Sequence, residues 1–465
     1  MSCAEHAAAL TAQALRPRGP AWDRVREVLR GQAAGEQPVC AYVYDLDALL
    51  ERAEAVRVAL PGRCELYYAV KANSHPAVLS TLAKHVTGFE VASLGEIDKA
   101  LAAGASRLAF SGPAKTDAEI AGALRAGLGL LNVESLHELR RVGLIGARLG
   151  VQVPVALRVN RRSSGLAGEL RRMAGTATQF GIDETLLTQA VELARSLAAA
   201  VRLRGFHLHA ASNNLDAAAH ARFVADSVAW CVQQAARHHI DLDVIDVGGG
   251  IGVPYTGGAG FDLPRFAAGL SAVMDQLPPG VRLIFELGRF LVAEAGWYAA
   301  EVLDLKYTHG RHFAVLRGGT HHFRLPAAWG YSHPFAVLPI ETWRYPFVRP
   351  EIRAVCVDVA GELCTPRDVL ARGVWVERLR VGDIVVFPLA GAYGWEISHH
   401  DFLSHPHPTQ LVLAPALRAP HARPEVKNDP ETTRGTGVTA ELSGSLALRE
   451  QRSPHATRRL SLKSE

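Results

Sequence analysis

The rhythm of apolar and polar positions changes twice along this 465-residue chain. Between Asp45 and Leu60, apolar side chains at Leu46, Leu49, Leu50, Ala53, Val56 and Leu60 follow the i, i+3, i+4 spacing of an amphipathic helix. Short apolar runs then alternate with Ala-, Leu- and Glu-rich segments long enough for helices. The runs cover residues 66–70, 89–92, 108–111, 129–133, 155–160, 203–209, 242–247 and 283–286. Ser, Thr or Asp often stands just before a helical segment, as an N-cap would. Strands that are apolar on both faces and joined by helices form parallel sheets, because the crossover helices cover both faces. Eight such units predict an α/β fold, a (β/α)8 TIM-like barrel over residues 45–298. An open, doubly wound sheet satisfies the same count.

From about Ala299 the helical period fades. β-rich runs at residues 313–317, 352–359 and 383–388 are separated by turns containing Gly and Pro. This predicts a second, mostly β C-terminal domain over residues 299–414. Residues 1–44, strand-like at 39–44, are expected to contribute to it. Residues 415–465 are rich in Arg, Pro, Ser, Thr and Gly and poor in large apolar residues. Such a stretch cannot bury enough surface to offset its ordering entropy, so a disordered tail is expected there.

Composition narrows the class. Hydrophobic residues make up 48% and charged residues 21%, as in a globular enzyme, and the net charge of +4 is too modest to imply a nucleic-acid partner. No apolar run approaches the roughly 20 residues that cross a bilayer, and residues 1–18 lack a basic segment followed by a compact apolar core. A cytoplasmic location and a small-molecule substrate are expected. The six cysteines, Cys3, Cys40, Cys64, Cys231, Cys356 and Cys364, are scattered without a CxxC pair, which argues against a metal centre or a disulfide framework.

In a barrel the chemistry sits at the C-terminal ends of the strands. Those ends carry Tyr68-Ala-Val-Lys71-Ala-Asn73, Glu90, Arg158 with Asn160, His207-Leu-His209-Ala-Ala-Ser212, Asp246-Val-Gly248-Gly249-Gly250 and Glu286-Leu-Gly288-Arg289. Burial of Lys71 at a strand end should lower its pKa and favour imine formation. Three glycines let backbone N–H groups approach an anion, and Gly288 and Arg289 fall where barrels commonly bind phosphate. Glu286 could keep a pyridine nitrogen protonated, and His209 could stack on an aromatic ring. Each has a purely structural alternative: a snorkelling lysine, a tight turn, an ion pair, a satisfied core histidine.

Taken with Cys364-Thr-Pro-Arg-Asp368 and Gly391-Ala-Tyr393, these motifs resemble, in order from about Ala41 to Leu413, the fold-type III pyridoxal-5′-phosphate (PLP) decarboxylases. That family includes the ornithine, arginine and diaminopimelate decarboxylases. The resemblance implies that Lys71 carries PLP, His209 stacks on its ring and Glu286 pairs with the pyridine nitrogen. It implies that Ser212, Gly249, Gly250, Gly288, Arg289 and Tyr393 hold the phosphate. Glu90 stands where relatives often have an aspartate near the cofactor, and Arg158 matches an arginine beside it. Cys364 would return a proton after CO2 leaves. In the family this cysteine comes from the partner subunit, which implies a two-fold homodimer with shared active sites. Racemases of the related barrel family use a tyrosine and a lysine as opposed bases, whereas Cys364 and Tyr393 fit the decarboxylase pattern.

Three departures stand out. Ala211 replaces a glycine of His-x-Gly-Ser, Leu287 replaces the proline of Glu-Pro-Gly-Arg, and Thr365 stands where diamine-producing relatives have an acid, the nearest following acid being Asp368. The stretches Gly318-Gly-Thr-His-His-Phe-Arg324 and Ser398-His-His-Asp-Phe-Leu-Ser-His-Pro-His407 are cationic, which suits a substrate with several carboxylates. With Phe110-Ser-Gly-Pro-Ala-Lys115 and the stretch from Gly205 to Asn214, they are similar to the siderophore-biosynthesis branch. Members of that branch decarboxylate citryl-diaminopropionate on the way to staphyloferrin B and related compounds. This implies the same substrate here, with His322, Arg324 and Asp368 as candidates for reading its distal groups. A diaminopimelate- or ornithine-type enzyme of primary metabolism is the alternative.

Overall fold

The computed structural model describes residues 13–162, 171–172 and 175–415. The expected tail, apart from its first residue, lies outside the described residues. The chain enters through helix α1 (Pro20–Ala33) and strand β1 (Cys40–Asp45). The Asp45 side chain then accepts from the amides of Asp47 and Ala48 and so caps helix α2 (Leu46–Ala59). A cap of this kind contributes about 1 kcal/mol. Arg24 of α1 clamps the corner through Asp45 and Asp47, each at 2.5 Å.

Eight parallel strands follow: β2 (Cys64–Ala69), β3 (Gly88–Val91), β4 (Leu108–Phe110), β5 (Leu130–Val133), β6 (Val153–Asn160), β7 (Val201–His207), β8 (Val244–Asp246) and β9 (Arg282–Leu287). Each pairs with the next, and β9 pairs with β2 through Leu283↔Cys64 to Leu287↔Tyr68. That last pairing closes the barrel and excludes the open sheet. Strands β3, β4 and β5 are buried at every position, the consequence of helices covering the outer face of a filled barrel. Ser93, Thr116, Ser135, Asp216 and Asp262 cap the helices that follow the strands or their loops.

The second domain is mostly β: β10 (Gly296–Thr308), β11 (Arg311–Leu316), β12 (Ala336–Leu338), β13 (Glu351–Ala360), β14 (Val369–Arg380), β15 (Ile384–Phe387) and β16 (Thr409–Leu413). The hydrogen-bonded order is β12-β15-β10-β11-β13-β14, with β1 between β10 and β16. Along β1 the side chains alternate between two cores. Cys40, Tyr42 and Tyr44 face the larger, while Ala41 and Val43 face a smaller one with Trp22, Val25 and Leu29 of α1. The larger core is continuous from barrel residues such as Phe89, Phe206 and Phe285 to Tyr298, Phe323 and Phe387 of the second sheet. Among the described residues no helix is long and apolar enough to cross a membrane.

Helix α1 and strands β10, β12, β14 and β16 are additions to the elements expected from periodicity. Only Trp22, Val25 and Leu29 of α1 are buried, a stripe too thin to stand out among charged neighbours. In β14 the exposed Arg372-Gly373 step breaks the apolar run.

Candidate active site

A cavity of about 440 Å3 opens at the C-terminal end of the barrel. Lys71, Glu90, Arg158, His209, Ser212, Gly250, Glu286, Gly288, Arg289 and Tyr393 all line it, although they come from distant parts of the chain. Gly249 sits just behind, its amide donating to His209 Nδ1 at 3.2 Å.

Lys71 belongs to a single 3-10 turn, Val70–Ala72, directly after β2. Its side chain keeps 45% of its surface open because it projects into the cavity. Nζ donates to both oxygens of fully buried Glu90, at 2.8 and 2.7 Å. The expected fall in the lysine pKa is therefore corrected. Burial lowers it, but Glu90, Glu286 and Tyr393 together outweigh burial and raise it above the ordinary lysine value. For Glu90 burial dominates and pushes the carboxyl up to about 7.

The opposite wall is a carboxylate–histidine cluster. Glu286 lies 3.5 Å from His207 Nε2 and accepts from Asn132 Nδ2 at 3.4 Å. Burial works against its charge, yet His207, Lys71 and Asp246 overcome that and hold Glu286 below the usual carboxylate range. Asp246, buried beside it, goes the other way: burial and the Glu286 charge hold its carboxyl well above the usual range. The two buried carboxyls are thus pushed apart, Glu286 toward its charged form and Asp246 toward its protonated form, which disfavours two like charges side by side. Burial, with Arg158 and Lys71 nearby, also pushes His209 well down, leaving a neutral imidazole at neutral pH.

Gly248 and Gly250 have φ of +65° and +98°, where a Cβ is disfavoured. A Cβ on Gly248 would meet His209 Nδ1 at 2.2 Å, and one on Gly249 would meet the Glu286 carbonyl at 2.2 Å. The glycines thus let the turn pack directly against His209 and the strand of Glu286, and Gly250 lines the cavity together with Arg289. That guanidinium donates to the Tyr255 hydroxyl at 2.8 Å and lies over the rings of Trp329 and Tyr393, at 4.4 and 4.5 Å. The second domain reaches into the cavity here. The Tyr393 amide donates to the Ala72 carbonyl at 2.8 Å, and Asn73 Nδ2 donates to the Gly391 carbonyl at 2.9 Å.

Arg158 is oriented by Glu134 at 2.9 Å and by the Phe180 ring at 4.9 Å. Glu134 also accepts from the amides of Gly112 and Gly181, so one carboxylate ties three loops together. Sequence reasoning passed over Glu134 and Asn132, although both sit at the end of β5, where the barrel rule directs attention. It also passed over Tyr255 and Trp329.

The remaining candidates lie elsewhere. Cys364 is exposed between β13 and β14 and does not line the Lys71 cavity of its own chain. His322 and Asp368 are corrected as direct substrate contacts within the chain, since both are buried away from this cavity. The His322 ring packs against Cys40 and His321, and its carbonyl accepts from Tyr42. Asp368 is consumed by the amides of Thr320 and Leu363, at 2.6 and 2.9 Å. Arg324 is exposed and lines a different cavity.

A family model described as pyridoxal-dependent decarboxylase, pyridoxal binding domain, matches residues 46–293. The chain is 42% identical to the 2-[(L-alanin-3-ylcarbamoyl)methyl]-2-hydroxybutanedioate decarboxylase of Staphylococcus aureus, over 84% of this chain and 98% of that one. It is 30% identical to a diaminopimelate decarboxylase of Helicobacter pylori, over 80% of this chain and 89% of that one. A crystal structure of the Helicobacter pylori diaminopimelate decarboxylase complexed with L-lysine superposes with a TM-score of 0.73 at 28% identity, covering 83% of this chain and 94% of that one.

Proposed function

The chain belongs to the pyridoxal-dependent decarboxylases, and we propose that it acts in siderophore assembly, releasing the α-carboxylate of 2,3-diaminopropionate as CO2 from a conjugate in which that amino acid is joined by an amide to citrate. The observation that carries the substrate is the 42% identity along nearly the whole length of an enzyme whose name spells out that molecule. Thr365, standing where an acid would grip a distal amine, supports a substrate whose far end is anionic.

The cavity fits PLP. Lys71 supplies the amine, Gly250, Gly288 and Arg289 line the cavity where an anion can approach backbone and guanidinium, and Glu286 supplies a buried anion. When bound, PLP supplies an electron sink for the pair released as the Cα–carboxylate bond breaks.

The chain's own residues do the rest. Glu90, whose carboxyl is pushed up to about 7, would hold the proton that Lys71 Nζ must release to react as a neutral amine. Glu286, kept ionised, would hold a proton on the pyridine nitrogen. His209, neutral and fixed by the Gly249 amide, would offer its ring face to the cofactor. Ser212, Gly249, Gly250, Gly288, Arg289 and Tyr393 would hold the phosphate, and Arg158 would stand beside the ring. Phe180, Leu325, Trp329 and Ile397 form apolar walls that exclude water from the reacting carbon. The Cys364 thiol would return a proton to that carbon from a second copy, so the working form is a cytosolic homodimer with shared sites.

Offering citryl-diaminopropionate, diaminopimelate, ornithine and arginine separately to the purified holoenzyme, while following CO2, tests the reading. Turnover of the citryl conjugate alone is expected. Turnover of diaminopimelate or ornithine instead would overturn the substrate and place the enzyme in primary metabolism.

A further inference from the structure

The short helix Leu325–Trp329 is a wall shared by two cavities. Leu325 and Trp329, four residues apart and so on one face, line the Lys71 cavity. Arg324, Ala327 and Ala328 line another, of about 690 Å3. A cavity of this size is ample for a small organic ligand.

Its chemistry is one-sided. Arg324, Arg367 and Arg372 line it with His399, and no aspartate or glutamate is among its described lining residues. Among the described residues none of the three guanidinium groups has an ion pair or hydrogen bond. Their backbones, in contrast, are pinned. The Arg324 amide donates to Ser398 Oγ at 3.0 Å, that of Arg367 to Thr365 Oγ1 at 3.3 Å, and that of Arg372 to Ser332 Oγ at 2.9 Å. Buried Asp368 fixes the two loops carrying Thr320 and Leu363 through their amides. Three exposed, unpaired guanidinium groups on pinned backbones thus line one cavity, and guanidinium forks match carboxylates in pairs.

We infer that this cavity binds a hydroxy-polycarboxylate of the citrate class, read by Arg324, Arg367 and Arg372. The ligand chemistry rests on the proposed substrate, and it has two sources: the distal citryl half of the substrate, or free citrate acting on the enzyme.

The test titrates citrate into the PLP-loaded enzyme by calorimetry at about 0.15 M ionic strength. The wild type is compared with R367Q/R372Q, with R367K, and with R125Q, which removes an exposed charge on an outer barrel helix. The double variant should lose roughly tenfold or more in citrate affinity, R367K should fall between, and R125Q should match the wild type. Cofactor absorbance should be the same in all four. Competitive inhibition by citrate, with KM for the citryl conjugate raised in the double variant and kcat held, identifies the cavity as the seat of the substrate's distal half. Noncompetitive inhibition that the double variant loses, with KM unmoved, identifies a site for free citrate. Wild-type citrate affinity in the folded double variant, or no citrate binding by the wild type, overturns the inference even if the conjugate is turned over. Conversely, arginine-dependent citrate binding by an enzyme that decarboxylates only a free amino acid sinks the substrate reading and leaves the cavity's assignment intact.

Discussion

Lys71 Nζ rests between the two carboxylate oxygens of Glu90, at 2.8 and 2.7 Å, with Glu286 close enough to add its field. An amine must be neutral to attack an aldehyde, and this arrangement holds the proton on the lysine. The same Glu90, at about 7, is the nearest group able to accept that proton as the cofactor arrives. The pair is a proton store beside the point of attachment.

Removing the Glu90 charge should therefore release Lys71 to the effect of burial. In Glu90→Gln the lysine pKa falls, and the pH at which cofactor attachment to the apoenzyme is half-maximal should drop by about one unit or more. Stopped-flow absorbance across a pH series reads this directly. A midpoint identical to that of the wild type would show that Glu90 does not control the lysine.

Lys71→Ala should abolish the imine absorbance and turnover together, because no other amine among the described lining residues faces the cavity. Loss of at least three orders of magnitude in kcat is expected, with the circular dichroism of the wild type retained. An active variant would remove Lys71 from the chemistry.

Arg289→Gln deletes a charged donor that is boxed by Tyr255, Trp329 and Tyr393. Hydrogen bonds to charged groups contribute about 1.5–3 kcal/mol, so the Kd for PLP should rise roughly ten- to a hundredfold. Tyr255→Phe, which keeps the ring and loses only the hydroxyl, should cost less than the arginine does. Fluorescence titration of the apoenzymes compares the two, and equal losses would mean that Arg289 acts only through Tyr255.

Cys364→Ala should leave the cofactor absorbance unchanged, since the residue lies off its own chain's cavity. The kcat should fall roughly 10²- to 10⁴-fold if the thiol is the acid that completes the reaction. Mixing this variant with Lys71→Ala should restore a fraction of activity, through heterodimers that hold one intact site. Full activity in Cys364→Ala alone would exclude the thiol as proton donor.

The barrel was legible because its strands are largely buried on both faces, so each left a short, mainly apolar run with polar residues at or near its C-terminal end. Lys71, Glu286 and Arg289 could be found because they end such runs. Charge state was not legible in the same way. The pKa of Lys71 is set by Glu90, 19 positions away on the neighbouring strand, and a local reading sees only burial. His322 misled for a related reason. The turn at Gly318 and Gly319, with φ of +95° and +154°, leads to histidines buried in the sheet core, where burial holds them neutral, while the sequence shows only that they are able to carry charge. Trp329 joins the site from the second domain, and nothing near it in the chain announces that.

The turn carrying Lys71 is hydrogen-bonded to a segment made far later in synthesis: Asn73 and Gly391 are 318 positions apart. At ribosomal speeds of 5–20 residues per second, the lysine exists for roughly 15–60 s before its clamp is translated. During that interval the last barrel strand, ending at Leu287, is completed, while Tyr393 and its loop are not yet made. The turn that holds the lysine is thereby closed by one of the last segments to be made, and a chain ending before residue 391 lacks that hydrogen bond.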